Sequence, residues 1–313
     1  MTNRFKTDHQ EDESYIEVAE GVWGLKTLFV NLYVIAINKN DWVLLDTGLK
    51  GYAAHIKSMA NDLFGNIPPK AIILTHGHFD HTGNIVELLE TWDVPVFAHQ
   101  LEKPYLNGTS SYPPPDPTVG GGLMSLMSVV YPRKPINLGD NLRILQNDSH
   151  LPFLPDWEFI HTPGHSPGHI SLFRQKDRLL IAGDAFVTTK QESAFSVATQ
   201  ARILSGPPKY FTYNWPVAKI SVKKLVNLHP KIAATGHGKP MQGEELINGL
   251  NYLSENFEKV AIPTSGRYVN RPAKTGKRGL LYVPPKPVNR AAIASLIAVT
   301  GLIIFALVRL YKQ

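Results

Sequence analysis

Nine consecutive residues, Thr75-His76-Gly77-His78-Phe79-Asp80-His81-Thr82-Gly83, set three histidines and a carboxylate in one short turn. Imidazole nitrogens and carboxylate oxygens are the ligands that zinc and similar divalent ions take, so this cluster is suited to holding metal. A lone histidine at a strand end is usually decoration or packing; four ligands crowded behind an apolar run are not. Three more positions carry the same chemistry in the same setting. His165 ends Thr162-Pro163-Gly164-His165, Asp184 follows Gly183, and His237 lies between Gly236 and Gly238. In each, a small residue lets the backbone approach closely while the ligand stands just past an apolar run.

Those apolar runs define the elements that must position the ligands. Strands are predicted over 18–27, 32–37, 42–45, 71–75, 94–98, 158–161, 170–174, 179–182 and 232–235. Helices are predicted over 51–64, 82–91, 217–228 and 244–259. Hairpins followed by strand–helix alternation indicate an α/β sandwich rather than a purely parallel sheet. Between 104 and 156 the rhythm breaks at Pro113-Pro114-Pro115 and Gly120-Gly121-Gly122, which predicts an insert acting as a lid or substrate wall.

Composition sets the outer limits. With 313 residues, 43% of them hydrophobic, the chain can bury a large core. It has no cysteine, which excludes disulfides, thiolate ligands and cysteine nucleophiles. The net charge of +6 is unevenly spread: nine Lys or Arg and no acid lie from Thr264 onward, leaving the preceding residues mildly acidic. No basic nucleic-acid groove is therefore expected. Residues 1–14 form a polar tail without the apolar core of a secretory signal. Residues 291–308 are eighteen uncharged, largely apolar positions flanked by Arg290 and Arg309. As a helix they reach about 27 Å, close to the bilayer core, and predict a single-pass C-terminal transmembrane anchor that engages the lipid bilayer. Basic residues in the linker 263–290 outnumber those beyond the span, which places the catalytic domain on the cytoplasmic side.

The series H-x-H-x-D-H, T-P-G-H, G-D and G-H resembles the metallo-β-lactamase superfamily over roughly residues 15–262, and His161 to His169 resembles its glyoxalase II-like and lactonase-like branches. The resemblance implies an αββα sandwich, two mixed sheets between outer helices, with a dinuclear site at one sheet edge. By position, His76, His78 and His165 would hold one metal and Asp80, His81 and His237 the other, with Asp184 bridging. Two zinc ions are implied, with iron or manganese as alternatives. Asp80 would serve as ligand alone or also as a catalytic proton acceptor. Asp46, in an Asp-Thr-Gly turn, and His169 would support the ligands from behind. Tyr210 and Tyr213 are the candidate substrate contacts, since Val187 stands where some lactonases place a tyrosine. The absent cysteine departs from the main zinc β-lactamases, and His78 departs from the glutamate of flavodiiron relatives.

Two cations sharing a water lower its pKa toward neutrality and supply hydroxide to an electrophilic carbonyl or phosphoryl centre. The expected activity is hydrolysis of a small ester, lactone or thioester. A phosphodiesterase, or a persulfide dioxygenase using one iron on His76, His165 and Asp184, are the alternatives.

Overall fold

In the strand Val30–Ala36, Leu32 and Val34 are buried in one apolar cluster while Tyr33 and Ile35 are buried in another. Side chains alternate faces along a strand, so a strand apolar on both faces must be covered on both. That requirement gives a layered fold, which a computed structural model describes for residues 15–146 and 149–286.

The strands β1 (Tyr15–Ala19), β2 (Val22–Thr27), β3 (Val30–Ala36) and β4 (Trp42–Leu45) form an antiparallel meander. Helix α1 (Ala53–Phe64) leads to β5 (Ala71–Ile73), and α2 (Ile85–Thr91) to β6 (Val96–Ala98), each strand joining in parallel. Short helices α3 (Lys103–Leu106) and α4 (Leu123–Met127) precede β7 (Leu142–Ile144), which completes a seven-stranded sheet in sequential order. The second sheet holds β8 (Trp157–His161), β9 (Ile170–Arg174) and β10 (Leu179–Ile181). After α5 (Ala194–Thr199) and α6 (Trp215–Val226) it gains β11 (Ile232–Ala234) and β12 (Met241–Gln242), in the order β12-β11-β10-β9-β8. Helices α7 (Gly243–Glu255) and α8 (Phe257–Val260) follow, then a hairpin of β13 (Lys274–Gly276) and β14 (Gly279–Tyr282).

Both sheets are mixed. Tyr33, Ile35, Val43 and Ile73 of the first meet Phe159, Leu172 and Ile181 of the second in a shared core. Ile56 and Met59 of α1 with Leu88 of α2 cover the outer face of the first sheet. Trp215 and Val222 of α6 with Leu246 and Leu250 of α7 cover the second. Each such side chain contributes about 1.5–3 kcal/mol on burial. The αββα sandwich expected from the sequence is the one observed. The ends of β4, β5, β8, β10 and β11 share one edge, where Ile170 N donates to Thr75 O (2.9 Å) and Asn31 N donates to Gly236 O (2.7 Å), joining the sheets.

Three expectations change. The insert does not run to 156: β7 belongs to the first sheet, and Tyr105 and Leu106 of α3 are core residues. The linker expected from 263 is docked as far as it is described, because Tyr268 and Ala273 are buried and Leu280 N donates to Ser110 Oγ (3.0 Å). Its prolines and basic residues read as linker, but Tyr268, Ala273 and Leu280 between them pack against the domain core. The helix expected over 244–259 breaks at Asn256 into α7 and α8. The expected N-terminal tail 1–14 and the expected membrane span 291–308 lie outside the described residues; among those described, no helix is long and apolar enough to cross a membrane.

Candidate metal centre

The loop after β5 turns back on itself, with His81 N donating to His78 O (3.0 Å), and brings its three histidines and Asp80 into one buried space. His165 arrives from the β8–β9 loop, Asp184 from the end of β10 and His237 from the end of β11. His76 Nε2 lies 2.9 Å from His78 Nδ1, which lies 2.9 Å from His165 Nε2. Asp184 Oδ2 is 3.3 Å from His165 Nε2, 3.6 Å from His81 Nε2 and 3.2 Å from His237 Nε2. His237 Nε2 is in turn 3.6 Å from Asp80 Oδ2. The seven predicted ligands thus converge, with His76–His78–His165 at one end, Asp80–His81–His237 at the other, and Asp184 grouped with His76 and His81 between them.

Most ligands are held from behind through the nitrogen that faces away from the cluster. Asp46 Oδ2 faces His81 Nδ1 at 2.8 Å and accepts from Thr75 Oγ1 at 2.7 Å, while its Oδ1 accepts from Thr75 N at 2.7 Å. Thr75 Oγ1 is also 3.0 Å from His76 Nδ1, so one carboxylate orients His81 directly and His76 through a hydroxyl. His237 Nδ1 faces Phe29 O at 2.7 Å, and Asn31 Nδ2 braces that loop by donating to Thr235 O (2.9 Å) and Gly238 O (2.7 Å). His169 Nε2 accepts from Asp184 N (2.8 Å), which leaves its Nδ1 to donate to Thr162 Oγ1 (2.8 Å). Tyr213 Oη lies 3.4 Å from His78 Nε2, behind the ligand. Tyr210 is buried in an aromatic group with Tyr131 and Phe211.

Burial pushes His76 and His78 well below the usual histidine range and His165 down to about 3, keeping them neutral. Burial opposes charge on His81 and His237 too, but the carboxylates around them together outweigh it, Asp184 with Asp46 at His81 and Asp184 with Asp80 at His237, and both are raised. Asp184 is buried yet held well below the carboxylate range by His237 and His81. Burial raises Asp80.

These residues fit a pair of divalent cations. His76, His78, His81 and His237 each have their outward nitrogen occupied. That leaves the inward one as a lone-pair donor in neutral His76 and His78, and makes it the atom from which an arriving cation would displace the proton in His81 and His237. His81 Nε2 and Asp184 Oδ1 are buried without a hydrogen-bond partner, as atoms awaiting a cation would be. Space there is tight: a Cβ on Gly236 would lie 2.0 Å from Asp184 Oδ1 and 2.9 Å from His81 Cε1.

One residue of this assembly was not legible in the sequence. Glu102 is fully buried, and its Oε1 accepts from Ser166 Oγ (3.0 Å) and Gly168 N (2.6 Å). Its Oε2 accepts from Gly77 N (3.0 Å) and from the Tyr112 hydroxyl. Glu102 therefore ties the loop of His76 and His78 to the loop of His165, although it lies far from either in sequence. Tyr112 also packs its ring 4.4 Å from that of His78. A cavity of about 890 Å³ opens beside Gly77, Phe79 and Tyr112, with Arg133 and Lys134 on its rim.

The metallo-beta-lactamase superfamily profile matches residues 25–237. The chain is 43% identical over 247 residues to the probable metallo-hydrolase YflN of Bacillus subtilis (strain 168), covering 78% of this chain and 94% of that protein. It is 25% identical over 154 residues to the hydroxyacylglutathione hydrolase GloC of Haemophilus influenzae, covering 49% of this chain and 65% of that protein. Among solved structures it is similar to the B3 metallo-beta-lactamase BLEG-1, with 26% identity, a TM-score of 0.50, and coverage of 72% of this chain and 94% of that one.

Proposed function

The chain belongs to the metallo-beta-lactamase superfamily and is a probable metallo-hydrolase, and from that premise we propose that it hydrolyses a carboxylic ester or thioester at a dinuclear zinc centre. The observation that carries the dinuclear reading is the position of Asp184 Oδ2, within 3.6 Å of ligand nitrogens from both groups. His76, His78 and His165 would hold one zinc, Asp80, His81 and His237 the other, and Asp184 both. Such a pair supplies Lewis acidity and lowers the pKa of water.

The chain's own residues do the rest. Asp80, whose Oδ2 lies 3.6 Å from His237 Nε2, would with metal bound be a ligand through one carboxylate oxygen and a proton acceptor through the other, passing that proton to the leaving group. Asp46 and Thr75 keep His76 and His81 in the tautomers that leave Nε2 free. Phe79 and Tyr112 line the cavity beside Gly77 and exclude water from an apolar acyl group. The likeness to a hydroxyacylglutathione hydrolase supports thioesters as the substrate class. Because one similar fold is a B3 metallo-beta-lactamase, a β-lactam belongs in the substrate panel despite the absent cysteine.

The test is metal content by mass spectrometry on the full chain purified without added metal, followed by thioester, lactone, phosphodiester and β-lactam assays. Two zincs per chain with thioester turnover, lost on chelation and in Asp184→Asn, is the expected result. One iron with oxygen uptake on a persulfide would replace this reading with the dioxygenase, and phosphodiester turnover alone would replace the substrate class.

A further inference from the structure

Helix α4 and the turn after it are inside out. Ser125 and Ser128 are fully buried, whereas Leu123, Leu126, Met127, Val129 and Val130 are between 44% and 73% exposed. Met124 N donates to Glu192 O (3.2 Å), which anchors the chain entering α5 beside α4, and Phe195 of α5 is 76% exposed. Single exposed apolar residues are ordinary, but six large ones on α4, the turn after it and the adjoining α5 mark a contact surface.

Two features of the molecule identify what the surface meets. The first is charge. Arg133 and Lys134 follow the ridge directly and are exposed. The hairpin region adds exposed Arg271, Lys274, Lys277, Arg278 and Lys286, with no acid from Thr264 to Lys286. That region docks beside the stretch leading into α4: Tyr268 Oη donates to Pro114 O (2.5 Å) and Arg267 N donates to Asp116 Oδ2 (2.5 Å). The second is the chain that continues from it. Five residues past Lys286 the sequence enters the eighteen uncharged positions 291–308, long enough as a helix to cross most of a bilayer. An apolar ridge rimmed by cations is how a protein lies on an anionic lipid surface.

We propose that this ridge seats the catalytic domain on an anionic bilayer. The ridge ends at Tyr131, whose ring packs 5.3 Å from that of Phe79 on the cavity wall. Seated this way, the Phe79 wall of the cavity lies beside the lipid, and an amphiphilic substrate enters along it from the membrane. The inference concerns where the domain sits and stands independently of which bond it cleaves.

The absence of cysteine makes the test direct. Val129→Cys and, separately, Leu126→Cys in the full chain are labelled with a small fluorophore and reconstituted into 3:1 phosphatidylcholine:phosphatidylglycerol vesicles. Tyr252→Cys on α7 is the control, being 57% exposed on another face. Quenching at 129 and 126 by acyl-brominated lipid but not by aqueous iodide, with the reverse at 252, is the expected result. Iodide quenching at all three sites, including on protein held to vesicles through its C-terminal segment alone, overturns the proposal. So does a chain that stays off the vesicles. Protection of 129 and 126 from both quenchers also overturns it, because a protein segment or a second copy would then cover the ridge.

Discussion

Replacing Asp46 by Asn tests whether one carboxylate sets the state of two ligands. Asn tolerates the left-handed backbone that Asp46 adopts (φ 60°), so the change falls on the side chain. In the native arrangement Oδ1 accepts from Thr75 N and Oδ2 serves both Thr75 Oγ1 and His81 Nδ1. An amide has one acceptor oxygen. If that oxygen stays on Thr75 N, its NH₂ faces His81 Nδ1, which must become an acceptor, and the proton moves to Nε2, the atom aimed at the second metal. If the amide flips, Thr75 N is left buried without an acceptor, at a cost of about 1–3 kcal/mol. Either way zinc affinity falls; loss of an outer hydrogen-bond partner typically costs about 10–100-fold, or about 1.4–2.7 kcal/mol. The assay is zinc titration of the metal-free full chain against a chromophoric chelator, with wild type and Asp46→Glu in parallel. Wild-type affinity at both sites in Asp46→Asn would refute the argument that Asp46 fixes the tautomers of His81 and His76.

Glu102→Gln places an amide NH₂ among four donors, so at least one of them loses its acceptor; thermal stability should drop by about 1–3 kcal/mol, and an unchanged melting curve would show that Glu102 does not hold the two loops. Gly236→Ala puts a methyl against Asp184 and His81, and metal content should fall from two per chain to one or none with the circular dichroism spectrum preserved. Full occupancy in that variant would mean the loop gives way freely. His99 stacks on His161 with ring centroids 4.1 Å apart, and burial depresses its pKa to about 4. Above about pH 6.5 both folded and unfolded forms are neutral; between 6.5 and 4 only the unfolded chain takes the proton, so stability declines through that window and levels off below it. The expected loss is on the order of 1–3 kcal/mol, and denaturant titrations of wild type and His99→Phe should separate across that range; parallel curves would assign the acid sensitivity to other groups.

The seven candidate ligands, which the fold brings together, were legible because each stands beside a glycine or in a dense cluster just past an apolar run, and because strand–helix alternation carries such runs to one sheet edge. The sandwich was legible because antiparallel hairpins are followed by strand–helix alternation; that β3 and β4 are buried on both faces, and so covered on both sides, is what the structure adds. β7 was missed because three half-exposed residues make no pattern, and the hairpin β13–β14 because its prolines and cations mask the few residues that pack.

Residue type and local spacing by themselves determined the candidate metal-ligating positions, an α/β sandwich and the chemistry such a site is suited to, since metal ligation depends on which atoms a short turn can offer. The αββα class and the division of the ligands between two metals came from the resemblance. What the tertiary structure decided is which state those atoms are in. Glu102, 25 residues from Gly77 and 64 from Ser166, tells nothing until folding brings the two loops to it. The same holds for Asp46 and the tautomers of His76 and His81, and for the buried serines that turn the apolar side of α4 outward. Hydrogen-bond partners and burial are properties of distance in space, and the chain order alone does not carry them.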